Sequence, residues 1–167
     1  MEITIRKGNL SDLEDFMAFT HQVQDAMPRK DWFAVDPDEE TRALAEAGDL
    51  EFWMAESQGC LAGVFSIVHP RLRVCNLGWE TGMAESELLS VTHMDTAAVH
   101  PDFRGQGLQR RLMEAAEQML AGRILMCTIH PENRYSLHNA LSLGYRIEKK
   151  AARYGSIRYI LRKDPVM

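Results

Sequence analysis

Residues 92–117 read THMDTAAVHPDFRGQGLQRRLMEAAE, and this stretch says more about the fold than any other part of the sequence. Residues 92–99 have the length and composition of a β-strand, and Pro101 ends it because proline has no N–H group for a strand ladder. Gly105 and Gly107 then form a turn, after which apolar residues recur at helical spacing. The stretch therefore predicts a strand, a glycine-rich turn and an amphipathic helix.

The glycine-rich turn is also a predicted anion site. The first N–H groups of a helix have no partner within the helix and lie at the positive end of its dipole, where they suit a phosphate group. Glycine lets a ligand approach the backbone, and Arg104 adds a positive charge. A tight turn with a packed helix would give the same pattern, and neither complete G-x-G-x-x-G nor G-x-x-x-x-G-K-[ST] occurs.

The composition is that of one globular domain spanning residues 1–167. Hydrophobic residues make up 46% and charged residues 26%, which are ordinary values. An isoelectric point near 5.7, with no basic stripe, disfavours nucleic-acid binding. Residues 1–60 hold 14 acidic and 5 basic side chains and residues 61–167 hold 10 and 14, which suits a cationic partner and a polyphosphate ligand respectively.

The sequence predicts a cytoplasmic protein that does not bind a membrane or a metal. It has no run of about 18 apolar residues and no signal-peptide pattern at its start. Cys60, Cys75 and Cys127 form neither a paired framework nor a metal-ligand spacing.

The rest of the chain predicts a mixed α/β fold in the order β-α-α-β-β-β-α-β-α-β-β. Ser11 and Asp36 are predicted N-caps of the first two helices. Residues 124–129 are almost all apolar, as in a parallel strand buried on both faces. With the stretch at 92–117 they make a right-handed βαβ unit.

The central stretch resembles the acyl-CoA-binding signature of the GNAT superfamily of N-acetyltransferases, [Q/R]-x-x-G-x-[G/A] after an apolar-Val-x-Pro strand end. A second family motif, N-x-x-[A/S]-x-x-x-Y-x-x-x-G-[F/Y], follows about thirty residues later. The chain departs from these motifs at two positions. Gln109 stands where the family usually has Gly or Ala, and Ala140 stands where it usually has Tyr. The matching residues are Ala98, Val99, Pro101, Arg104, Gly107, Asn133, Ser136, Gly144 and Tyr145.

The resemblance implies a central mixed β-sheet with splayed strands 4 and 5, flanked by helices. It implies acetyl-CoA as co-substrate and direct transfer of its acetyl group to a primary amine of a small molecule or a peptide N-terminus. A catalytically weak or inactive CoA-binding sensor of the same fold is the alternative. The family also makes a monomer or a homodimer the expected state.

The resemblance further implies the residues that bind the cofactor. The pantetheine arm would pair with the fourth strand as an added β-strand does. The pyrophosphate would lie on the turn, where the start of the helix binds anions. The implied cofactor residues are Ala97, Ala98, Val99, Arg104, Gly105, Gln106, Gly107, Leu108, Gln109, Asn133 and Ser136.

Three residues of the fourth strand are the predicted catalytic group. The resemblance implies that the Ala97 N–H faces the thioester oxygen and stabilises the developing oxyanion. Strand alternation predicts that His93 and Asp95 share the face of Ala97, with His93 as the base and Asp95 as its orienter or as an acceptor-binding carboxylate. A solvated strand end, or a contact of the two side chains with each other, would explain the same pair.

Two further expectations concern the surroundings of this site. Ala140 stands where relatives place a tyrosine that protonates the thiolate, and helical spacing predicts that it faces the sulfur. The loop at residues 71–87 either covers the acceptor site or forms variable surface.

Overall fold

The centre of the computed structural model is a seven-stranded mixed sheet in the order β1-β2-β3-β4-β5-β7-β6. The structure describes residues 2–166, and Met1 and Met167 lie outside the described residues. Strands β4 and β5 run parallel, and the other neighbouring pairs are antiparallel. The strands are β1 (Thr4–Lys7), β2 (Leu50–Ser57), β3 (Cys60–Val68), β4 (Val91–Val99), β5 (Ile124–Ile129), β6 (Arg146–Arg153) and β7 (Ser156–Lys163).

The helices fill both faces of this sheet. In residues 2–166, none is both long and apolar enough to cross a membrane. The helices are α1 (Leu13–Asp25), α2 (Asp38–Glu46), α3 (Leu77–Glu80), α4 (Glu85–Leu88), α5 (Leu108–Glu117) and α6 (Arg134–Ser142).

Side-chain alternation along β3 separates two cores. Val64 packs with Phe16 of α1, on what we call the α1 face of the sheet. Phe65 packs on the opposite α5 face, against Leu112 and Ala116 of α5. Leu112 is fully buried, which contributes about 2 kcal/mol relative to leaving it exposed. The apolar stripe predicted for this helix is therefore the one that packs on the sheet.

The predicted splaying of strands 4 and 5 is confirmed. Residues 91–93 of β4 pair with residues 124–126 of β5, and no later pair forms although both strands continue. Beyond that point β5 remains paired with β7, while β4 remains paired with β3. The two central strands therefore open a gap that begins after His93.

A β-bulge lies in β4 at the start of this gap. Thr96 pairs with Ser66 and Met94 pairs with Ile67, so Asp95 is an extra residue opposite β3. A bulge of this kind shifts the side-chain alternation by one residue and bends the strand.

The bulge makes one prediction wrong, since His93 and Ala97 do not share a face. His93 pairs with Val68 on the α1 face, and Ala97 pairs with Phe65 on the α5 face. The Asp95 carboxylate contacts the hydroxyls of Ser66 and Thr96, on the α1 side. Simple alternation along the strand fails because the extra residue has no partner on β3.

The first two helices also begin differently from the prediction. Asn9, not Ser11, caps the first turn, because its side chain accepts from the Ser11 N–H while the Asp12 carboxylate accepts from the Asn9 N–H. Helix α2 begins after Pro37 with no side-chain cap. Asp36 is therefore not a capping residue.

Candidate active site

A cavity of about 890 Å³ fills the gap between the diverging ends of β4 and β5. Gln109, Met113 and Asn133 line its half on the α5 face. Phe33 and Asp36, from the segment between α1 and α2, line its half on the α1 face. The cavity therefore joins the two faces of the sheet, and groups bound on opposite faces can meet inside it.

Most of the predicted site residues lie in the wall of this cavity. The side chains of Ala98 and Leu108 are buried in the two cores, so these residues can offer only backbone groups. Gln106 and Gly107 lie in the turn directly after two wall residues. The predicted residues in the wall are His93, Asp95, Ala97, Val99, Arg104, Gly105, Gln109, Asn133 and Ser136.

The edge of β4 offers backbone donors to the gap. The His100 N–H donates to the Ala62 carbonyl of the β3 side over 2.9 Å. Backbone groups alternate in direction along a strand, so the N–H groups of Ala97 and Val99 point away from β3 and into the gap. The strand pairing after the bulge is regular, so this alternation holds.

The turn before α5 leaves the start of the helix open. Gly107 is the N-cap residue with φ +70°, Gly105 has φ +77°, and no side chain caps the helix. A Cβ atom at either glycine would meet nothing within 4 Å, so the space above the turn is free. The first N–H groups of α5, from Leu108 onward, are therefore accessible to an anion, with Arg104 beside them.

The departure at Gln109 has a structural role. Its Nε2 lies 3.2 Å from the Ser136 Oγ, which links α5 to α6. The Asn133 side chain accepts from the Ser136 N–H over 3.3 Å and caps α6. The wall on the α5 face is thus held together by the residues that the two motifs contribute.

The prediction that Ala140 faces the sulfur position is wrong. Ala140 is fully buried in the α5-face core and does not line the cavity. Tyr145 is buried beside it and donates from its hydroxyl to the Glu117 Oε1 over 2.7 Å. Burial, and next the charge of Glu117, raise the pKa of Tyr145 well above its usual range.

His93 has its accepting nitrogen already engaged. Its Nε2 accepts from the Leu77 N–H over 3.1 Å, which places the ring proton on Nδ1 in the neutral form. Burial, and then the charge of Arg153, lower the pKa of His93 to about 3. The imidazole is therefore neutral at physiological pH and has no free lone pair.

Asp95 has the opposite character. Its carboxylate accepts from the Thr96 hydroxyl over 3.2 Å and lies 3.5 Å from the Ser66 hydroxyl. Burial, and next the negative charge of Asp36, raise the pKa of Asp95 to about 7. No basic side chain in residues 2–166 stabilises its charge, so Asp95 can exchange a proton near neutral pH.

The wall residues that sequence reasoning missed include three ionisable side chains on the α1 face: Asp36, Tyr154 and Arg158. Asp36 looked like a helix cap, and Arg158 lies in a strand whose alternation looked ordinary. Tyr154 lies in the β6–β7 turn at φ +52°, an uncommon angle for a non-glycine residue. Desolvation, and then the charges of Asp95 and Asp36, raise the pKa of Tyr154 to about 12.

The loop at residues 71–87 lies against the α1 half of the cavity. It contains α3 and most of α4, and Cys75 and Leu77 contribute to the wall. Its Leu77 N–H is the donor that holds His93. The structure thus favours a covering role over that of variable surface.

The fold is shared with many solved structures. The putative acetyltransferase yncA from Salmonella typhimurium, solved with acetyl-CoA, aligns over 100% of this chain and 96% of its own, with a TM-score of 0.70 and 18% identity. Arabidopsis thaliana NAA60 with acetyl-CoA aligns over 98% of each chain, with a TM-score of 0.73 and 15% identity. The ribosomal-protein-S18-alanine N-acetyltransferase from Escherichia coli covers 99% and 96%, with a TM-score of 0.69 and 17% identity. At these identities the likeness concerns the fold.

The sequence itself shows the family. Residues 19–145 match the family model described as "Acetyltransferase (GNAT) family". No curated protein matches the chain by sequence. Because the matched segment covers most of the chain and contains β4, the turn and α5, the chain belongs to the GNAT family of acetyltransferases.

Proposed function

We propose that the protein transfers the acetyl group of acetyl-CoA directly to a primary amine of a small molecule or a peptide N-terminus. The observation that carries the proposal is the cavity through the sheet. Open backbone donors face it from β4 and the turn, and an ionisable carboxylate faces it from the bulge. Acetyl-CoA in the two structural relatives supports the cofactor.

The α5 half is the proposed binding site of acetyl-CoA. The N–H groups at the start of α5, with Arg104, would bind the pyrophosphate. The backbone of Ala97 and Val99 would pair with the pantetheine amides, and Asn133 and Ser136 would contact the arm from α6. The Ala97 N–H would then stabilise the negative charge that develops on the thioester oxygen.

We propose Asp95, rather than His93, as the base. The acceptor amine must lose a proton to attack the thioester carbon, and a group with a pKa near neutral is suited to take it. Asp95 has that pKa and lies at the point where the gap opens, whereas the lone pair of His93 is bound to the Leu77 N–H. As the C–N bond forms and the C–S bond breaks, Asp95 holds the first amine proton, the second amine proton passes to water, and CoA leaves as a thiolate.

No tyrosine of α6 or of the following turn serves as general acid in this proposal. The Tyr145 hydroxyl is bound to Glu117 inside the core. Tyr135 lines the cavity but is 47% exposed at the start of α6. A thiolate is a good leaving group and can take its proton from water.

Tyr135→Phe and Tyr145→Phe should therefore each keep turnover within about tenfold of wild type, below the usual effect of removing a general acid. Steady-state kinetics with a fixed acceptor check this. Tyr145→Phe also loses its bond to Glu117, so its folding should be verified by thermal melting. A drop of a hundredfold or more in either variant, with folding and acetyl-CoA binding intact, would assign the acid to that tyrosine.

An acceptor screen tests the function. Free thiol release from acetyl-CoA should be slow with protein alone and should rise when one class of amine is added. A panel of amino acids, polyamines, aminoglycosides and short peptides covers the open acceptors. If acetyl-CoA binds but no amine raises thiol release, the inactive CoA-binding alternative replaces the enzyme. A cytoplasmic location suits the protein, because acetyl-CoA is supplied there and cysteine thiols stay reduced there. Measurement of the molecular mass in solution would decide between a monomer and a homodimer.

A further inference from the structure

Arg158 is a buried cation in the wall of the cavity. Its side chain belongs to β7, and the residue is only 5% exposed. A buried charge normally has a counter-charge, because removing it from water is costly. Within residues 2–166, no carboxylate lies at salt-bridge distance from this guanidinium.

Neutral groups hold the Arg158 guanidinium in place. Its Nε donates to the Thr128 hydroxyl over 3.2 Å, and its two terminal nitrogens donate to the carbonyls of Asp31 at 3.1 Å and Trp32 at 3.4 Å. A guanidinium has five N–H donors, so two remain for another partner. These bonds fix the orientation of the guanidinium, but their acceptors are neutral groups that form no ion pair with it.

The other cations of this half have acidic partners. Arg29 bridges Asp31 and Glu132, each at 2.8 Å. Arg153 donates to a backbone carbonyl and lies 3.8 Å from Glu80. Arg158 therefore differs from its neighbours in having no ion-pair partner within residues 2–166. The nearest acidic influence is the charge of Asp31, whose carboxylate is itself paired with Arg29.

Unpaired charge of the opposite sign lies in the same half. Asp36 and Asp95 face the cavity, and no basic side chain forms an ion pair with either in the described residues. Tyr154 lies between the two kinds of charge: its ring is 5.6 Å from the Arg158 guanidinium carbon, and its hydroxyl is close enough to Asp36 and Asp95 to be influenced by both. A ligand here meets anionic and cationic groups together.

We propose that the acceptor is a zwitterion, a free α-amino acid or a close analogue, with its amine at Asp95 and Asp36 and its carboxylate on Arg158. The inference rests on the proposed function and names its substrate class. A polyamine has no group for Arg158, and a peptide N-terminus has no carboxylate next to its amine. An arginine fork matches a carboxylate in two parallel hydrogen bonds.

The test compares the common L-amino acids with their carboxamides, which keep the amine and side chain but lose the negative charge. We expect the best amino acid to have a kcat/KM about a hundredfold above that of its carboxamide, since a site built for a charged group discriminates strongly against its absence. Wild-type protein alone gives this result, so no variant has to fold for the proposal to be tested.

Variants then assign the discrimination to Arg158. Arg158→Met should bring the acid-to-amide ratio to within a few-fold of one, whereas Arg162→Met, which removes an arginine of the same strand outside the cavity wall, should keep it. Equal use of acids and amides by the wild type overturns the inference and leaves the acetyltransferase intact. A preference for polyamines or peptides would likewise overturn the inference and leave the acetyltransferase activity intact. Transfer to no amine at all removes the proposed function itself.

Discussion

Replacing Asp95 with asparagine should lower turnover by about 10²–10⁴-fold, the usual effect of removing a general base. Asparagine has nearly the same shape and can still bond to the Thr96 hydroxyl, so the bulge should persist. Acetyl-CoA binding should be unchanged, because the carboxylate is on the α1 side of the sheet. Steady-state kinetics with the best amine of the screen, together with acetyl-CoA titration, measure both effects.

The pH profile gives the same experiment a second readout. Asp95 must be ionised to accept a proton, so kcat/KM of the wild type should fall as pH drops below about 7. In Asp95→Asn this limb of the profile, the fall of kcat/KM at acidic pH, should be absent. His93→Gln is the matched control, since it replaces the neighbouring titratable residue of β4, and it should keep turnover within about tenfold. Loss of the limb in the His93 variant, and its survival in Asp95→Asn, would make His93 the base.

Asp95 should also destabilise the folded protein at neutral pH. Its pKa is about 7 when folded and near 3.8 when unfolded, so unfolding favours ionisation. Its contribution to stability is present at low pH and is lost as pH rises from about 4 to 7. Asp95→Asn should therefore unfold at a higher temperature than wild type at pH 8, with the difference shrinking towards pH 4.

Gly107→Glu should abolish the stabilisation by acetyl-CoA. Wild-type protein should gain about 2.7 kcal/mol at a hundredfold excess of ligand over Kd. The new side chain would occupy the open space above the turn and place a negative charge where the pyrophosphate would lie. Thermal melting with and without acetyl-CoA measures the loss.

Gly122→Glu is the control for backbone strain. Gly122 has φ +79° and open surroundings like Gly107, but it does not line the cavity. Both variants should lose intrinsic stability, since a non-glycine residue at positive φ costs about 1 kcal/mol. Only the Gly107 variant should lose its response to acetyl-CoA. A normal response in that variant would show that the turn does not bind the cofactor.

Local rules were sufficient for the part of the fold that carries the cofactor. The strand at 92–99, the turn and the helix were predictable because proline, glycine and apolar spacing act within a few residues of each other. Strand β5 has the bounds that its apolar run predicts. The splaying of β4 and β5 came from the family resemblance.

The acceptor half was less predictable because it depends on distant pairing. The bulge at Asp95 is defined by β3, almost thirty residues away, and it moved His93 off the face of Ala97. Asp36 had a sufficient local interpretation as a cap. Arg158 is distinctive only because, among residues 2–166 of the folded chain, it is buried without an ion-pair partner. The roles of such residues can be inferred only from the tertiary structure, because the evidence for them is that an expected partner is not in contact.

Direct acetyl transfer can be tested by following an isotope-labelled acetyl group from acetyl-CoA with mass spectrometry. Protein, labelled acetyl-CoA and the amine panel are incubated together, and the masses of both the amines and the intact protein are then measured. Direct transfer with Asp95 as the base predicts labelled amine, protein of unchanged mass, and almost no labelled amine with Asp95→Asn. A protein that gains the label would show a covalent intermediate, for instance on Cys127 in the cavity wall, and would contradict direct transfer.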